Sequence, residues 1–184
     1  MTNAAGPILL EPLSLYVTTT QLTEAKFHWA LIATDTSCSA IRHHWHEKPH
    51  TRGVIGFAEG YGSQKVHPKS LTTGRVVLGY FKIGGYTAPS PAIFAGVCQS
   101  MFETSYPTVH ENRRYGITCR TWVLQVLSAL CALGYITGYE GSIQNFLDCL
   151  ERTITEQSRM ADNAYLTTFY TQRILTFVSS IMVI

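Results

Sequence analysis

The sequence predicts an α+β domain, an antiparallel sheet packed against helices, on three observations. Short segments rich in aromatic and β-branched residues, separated by turn residues, fill the first half, whereas the second half switches to helical period. The chain has 184 residues, 46% hydrophobic and 14% charged, which suits one sizeable core and leaves no room for a second full domain. Strands first and helices afterwards is the α+β order.

Taken along the chain, Leu13 to Val17 and Lys26 to Ile32 read as strands, each followed by polar Thr or Asp-Thr-Ser turns. Ser39 to Trp45, Gly53 to Ala58 and Arg75 to Ile83 continue the pattern, with Gly-rich loops at Glu59-Gly60-Tyr61-Gly62 and at Gly84-Gly85. Ser90-Pro91 then supplies an N-cap and a first-turn proline for a helix carrying Ile93, Phe94, Val97, Met101 and Phe102. Trp122, Val123, Val126, Leu127 and Leu130 mark a second helix that stops at Gly134. Ser142 caps a third, with Ile143, Phe146, Leu147, Leu150 and Ile154 on one stripe, and a last helical stretch from Asp162 carries Phe169, Ile174, Leu175 and Val178.

Lys and Arg number 14 against 12 Asp and Glu, a formal charge of +2, far from the basic footprint of a phosphate-backbone binder, so no nucleic-acid partner is expected. The five cysteines form no CxxC pair, which predicts reduced thiols rather than a disulfide framework. Met1 to Pro7 lacks a positive flank and an apolar stretch, so a cytoplasmic location is the expectation. The apolar run Ile174 to Ile184 is shorter than the roughly 20 residues of a spanning helix; it reads as a buried helix or one through which a homodimer forms.

Cys119 is the residue with the clearest chemical setting. Thr118 precedes it as a cap and the apolar stripe of Trp122, Val123 and Val126 follows, so the thiol opens a helix, where unpaired N–H groups and the helix dipole favour a thiolate. Arg120, Arg113 and Arg114 push the same way. The plainer reading is a small core residue extending that stripe. Cys98, Cys131 and Cys149 lie deeper in helical patterns.

A thiol nucleophile needs a base, and His28 sits in mid-strand, sharing a face with Ala30 and Ile32 while Phe27, Trp29 and Leu31 take the other. A histidine satisfied by a backbone carbonyl explains it as well. His43, His44, His46 and His50 form a local cluster. His44 and His46 share a face and can begin a zinc site, but no Cys or carboxylate stands at a diagnostic spacing, and a member of the cluster can instead orient His28. Gly56 to Gly62 lacks a phosphate-loop ending, Gly84-Gly85 is no dinucleotide fingerprint, and there is no Gly-x-Ser-x-Gly elbow. No cofactor and no metal is expected.

His28-Trp29-Ala30-Leu31 in a strand, followed much later by Thr118-Cys119-Arg120-Thr121-Trp122-Val123 opening a helix, resembles the circularly permuted papain-like fold of lecithin:retinol acyltransferase-like and PPPDE-type proteins. Their patterns are His-Trp-Ala-Ile and Asn-Cys-x-x-Phe-Val. The second segment is also similar to a group of uncharacterised fungal proteins with Gly-Cys-Arg-Phe-Trp-Val. The resemblance implies a papain-like catalytic domain over residues 1–136; residues 137–184 lie outside it and read as a C-terminal helical extension packed on the same domain. It makes Cys119 the nucleophile, His28 the general base and later acid, and His44 the third catalytic group, with His43 and His46 as alternatives; Thr118 stands where the family often has Asn.

The chemistry it implies is acyl transfer through a thioester. The expected protein is an acyltransferase, thioesterase or amidase acting on a small or lipid-like substrate, in a setting such as fungal specialised metabolism. Trp29, Trp122, Tyr80 and Phe81 would suit an apolar acyl group. The alternatives are a PPPDE-like isopeptidase, which needs an open groove for a protein tail, and a non-catalytic binding or dimerising protein on the same fold. A metal-dependent function built on the histidines ranks last.

Overall fold

The computed structural model describes residues 9–22, 26–48, 58–66, 76–103, 105–172 and 180–183. The strand-forming first half supplies β1 (Leu15–Gln21), β2 (Phe27–Thr34), β3 (Ala40–Glu47), β4 (Glu59–Val66) and β5 (Val77–Lys82). After them come α1 (Pro91–Ser100), α2 (Val109–Arg114), α3 (Cys119–Ala132), α4 (Ile143–Gln172) and the short β6 (Ser180–Val183). The sheet order is β4-β3-β2-β1-β5-β6, antiparallel except that β6 runs parallel to β5. A parallel neighbour needs a long crossover, which the four helices provide.

Alternation along the strands sorts the core. Leu15, Val17, Trp29, Leu31, Trp45 and Phe81 face the helices, where they join Phe94, Cys98, Trp122, Val126, Leu130, Leu147, Leu150 and Ile154 in one cluster. Tyr16, Ile32, Ala40 and Tyr80 form a smaller cluster on the other face. The aromatic residues expected to receive an acyl group are therefore committed to packing, Trp29, Phe81 and Trp122 in the first cluster and Tyr80 in the second.

Several local expectations are corrected. β1 continues through Thr18, Thr19 and Thr20, expected as a turn, because their hydroxyls find partners: Thr18 donates to the Gly79 carbonyl at 3.0 Å and Thr19 pairs with Ser158 of α4 at 2.8 Å. Glu59 to Gly62, expected as a loop, opens β4. Side chains lie across its two glycines: a Cβ on Gly60 would meet the end of Lys48 and one on Gly62 would meet His46 Nε2. The short α2 has no counterpart in the sequence reading. The third and fourth helical stretches are one continuous α4, and Ile181 to Val183 extend the sheet rather than a dimer-forming helix. The expected strand Gly53 to Ala58, all but Ala58, and Arg75, His50, Ile174, Leu175 and Val178 lie outside the described residues. Among those described, no helix is long and apolar enough to cross a membrane.

Helix starts follow their caps. Ser90 accepts the Ile93 N–H at the head of α1. At α3, Thr118 and Thr121 cap each other reciprocally, each hydroxyl taking the other's backbone N–H at 3.0 Å. That box fixes where α3 begins, and so fixes Cys119 as its first residue.

Candidate functional site

The ladder between β2 and β3 joins Leu31–Thr34 to Ala40–His43. Beyond it the two strands go separate ways: Phe27 to Ala30 pair with β1, and His44 to Glu47 pair with β4. His28 and His44 meet at this parted end, and Cys119 lies near the backbone of the same stretch of β2. The backbone N–H of Trp29 acts on the Cys119 sulfur, so the thiol lies near the peptide that joins His28 to Trp29. His28 Nε2 is 3.1 Å from His44 Nδ1, with the rings edge to face at 5.3 Å.

His28 and Cys119 approach from different sides. Helix α3 lies on the Trp29 face of the sheet, whereas the His28 side chain leaves β2 on the opposite face, toward His44. The groups near the sulfur that favour its thiolate include the backbone N–H of Trp29 and that of Arg120. The thiol on one face and the imidazole pair on the other thus lie at the same stretch of β2, with its backbone between them.

Charge states at the site follow from burial. Desolvation pushes the half-buried Cys119 thiol above its ordinary value; the two N–H groups and the Arg113 guanidinium pull it down, and the Glu59 carboxylate adds to the rise. His44 is lowered to about 3, first by desolvation and then by Arg42, His46, His28 and His43. At neutral pH the thiol is protonated and His44 is neutral. A neutral His44 whose Nδ1 carries the lone pair accepts the His28 Nε2–H.

The other members of the histidine cluster have separate duties. His46 stacks on His44 at 4.4 Å and its Nδ1–H donates to the Glu47 carbonyl at 2.8 Å. His43 faces the helices, bonded to the Tyr61 hydroxyl at 2.8 Å and packed edge-on against Phe94, and burial lowers it to about 4. Among the described residues, no set of three or more His, Cys, Asp or Glu side chains converges to hold a metal. Cys98 offers a contrast, fully buried in α1 with its thiol raised to about 12 by desolvation alone.

One supporting feature is absent from the sequence reading. Glu59, 3% exposed at the head of β4, holds Arg113 through two hydrogen bonds of 2.8 and 2.9 Å and accepts from Asn112 at 2.8 Å. Arg113 also donates to the Ile117 carbonyl at 2.6 Å, just ahead of Cys119. Two residues so far apart in the chain leave no local pattern from which to infer the pair. An open groove of about 540 Å³ runs beside the start of α3, lined by Arg120, Asp148, Glu151, Arg152, Glu156 and Arg159. Its mixed charge makes it unsuited to an apolar acyl chain. No family model, curated protein or solved structure matches the chain.

Proposed function

We propose that the protein is a cysteine-dependent acyl-transfer enzyme acting on a small or lipid-like substrate. The reading is carried by one observation: the Cys119 sulfur lies against the His28–Trp29 peptide while His28 is hydrogen-bonded to His44 at 3.1 Å. In this scheme the thiol proton passes to His28 by way of solvent, since the imidazole leaves β2 on the face opposite the sulfur. As it does so the sulfur attacks the substrate carbonyl, and the new C–S bond forms as the carbonyl oxygen gains charge. N–H groups at the start of α3 stabilise that oxyanion. Collapse breaks the bond to the leaving group, which departs with the proton from His28, and water, an amine or an alcohol then cleaves the thioester. His44 orients His28 and accepts its Nε2–H throughout, as the third member of a triad does.

Burial of the thiol favours a second reading, a binding or assembly protein in which Cys119 is a core-edge residue that stays protonated. Acylation separates the two. Incubated with p-nitrophenyl acetate at neutral pH, the protein should carry one hydroxylamine-labile acetyl on the Cys119 peptide, seen by mass spectrometry, and His28→Ala should slow its formation by about tenfold or more. Labelling confined to the exposed Cys38 and Cys149 would overturn the enzymatic reading in favour of the binding protein.

A further inference from the structure

We infer that the Glu59–Arg113 ion pair is a positioning device for Cys119, holding the turn that carries the thiol and balancing the charge beside its sulfur. The inference rests on the reading of Cys119 as the reacting thiol, but its test does not need turnover. Glu59 projects from the sheet with its carboxylate almost wholly buried, and three hydrogen bonds reach it from consecutive residues of α2, two from Arg113 and one from Asn112. Asn112 is itself fully buried and accepts the Tyr106 N–H at 2.8 Å. Its carbonyl accepts the Ile117 N–H at 2.9 Å, while Arg113 Nη1 donates to the Ile117 carbonyl at 2.6 Å. Both polar groups of Ile117 are thus tied to α2, and Thr118 and Cys119 follow directly.

Two charges of opposite sign act on the sulfur from this pair: the guanidinium favours the thiolate and the carboxylate opposes it. Arg120, which follows Cys119 in the chain, is turned to Glu151 at 3.2 Å. A mere clamp and a charge balance make different predictions. Loosening a clamp from either side exposes the thiol and changes its reactivity in one direction. Removing one charge at a time must move it in opposite directions.

The experiment measures iodoacetamide alkylation of the Cys119 peptide against pH, in the full chain. Glu59→Gln keeps the shape of the carboxylate and deletes its charge, so the thiol pKa should fall and the neutral-pH rate rise by about threefold, the tenfold per pKa unit being reduced by solvent around the half-exposed Arg113. Arg113→Gln should slow alkylation by a similar factor, and the double variant should return close to the parent. Should Glu59→Gln not fold, Arg113→Lys against Arg113→Gln carries the test, since lysine keeps the charge and the parent pKa. Shifts of the same sign in both single variants, or none in either, overturn the inference. Opposite shifts without any acetyl-enzyme would leave the charge balance standing and remove the acyl-transfer reading instead.

Discussion

β2 and β3 are zipped together at one end and parted at the other, and the two ends are built for different work. At the zipped end Leu31 faces the helices with no exposure and the strands share a regular ladder. At the parted end the same two strands contribute His28 and His44, joined side chain to side chain, with a helix start brought against the backbone. Apolar burial stabilises the first end; hydrogen bonding between groups of low charge organises the second. The difference shows how one sheet can hold a rigid core and a polar cluster within a few residues of each other.

The largest expected effect comes from cutting into the zipped end. Leu31→Ala removes a fully buried side chain and should cost about 2–5 kcal/mol. His28→Ala, at the parted end, leaves His44 without that hydrogen bond, and about 1 kcal/mol is expected. Urea unfolding midpoints, compared at unchanged slope, measure both. Equal losses would erase the distinction between a packed end and a chemical one.

Acid should weaken both ends through different residues. His43 at the zipped end and His44 at the parted end have folded-state values near 4 and near 3, against an ordinary value of 6.5. Below about pH 6.5 the unfolded chain takes up protons that the native imidazoles refuse, so stability present above that pH is lost as pH falls toward about 4. Thermal unfolding from pH 7 to pH 4 should show the midpoint falling, and His43→Gln or His44→Gln should each flatten the slope. A variant with an unchanged slope would show that its histidine titrates normally in the folded protein.

Much of this division was legible in the sequence, and strand parity was the most informative part. Phe27, Trp29 and Leu31 on one side of a strand mark the face toward the helices, so His28 had to emerge on the other. Thr118 before Cys119 likewise located a helix start from local chemistry alone. What escaped depends on distant partners. Thr18 to Thr20 look like a turn until Gly79 and Ser158 supply their hydrogen bonds. The Gly60 and Gly62 pair looks like a loop until Lys48 and His46 are laid across it. Glu59 looks like a loop residue until α2 arrives with Asn112 and Arg113.

The smallest effect tests whether the parted end can be disturbed by itself. Gly62 pairs with His44 in the β3–β4 ladder, and a Cβ there would meet the Nε2 of His46. The obstacle is the far end of a flexible side chain, so in Gly62→Ala the His46 ring should swing away and give up its stack on His44. Alanine also restricts the unfolded chain more than glycine, which offsets part of the loss, and the net stability change should stay below about 1 kcal/mol. Imidazole resonances of His44 and His46 should move, while those of His43, held by Tyr61 and Phe94 on the other face, should stay in place. Coupled movement of all three would mean that the sheet transmits the disturbance, and that the two ends of β2 and β3 act as one unit.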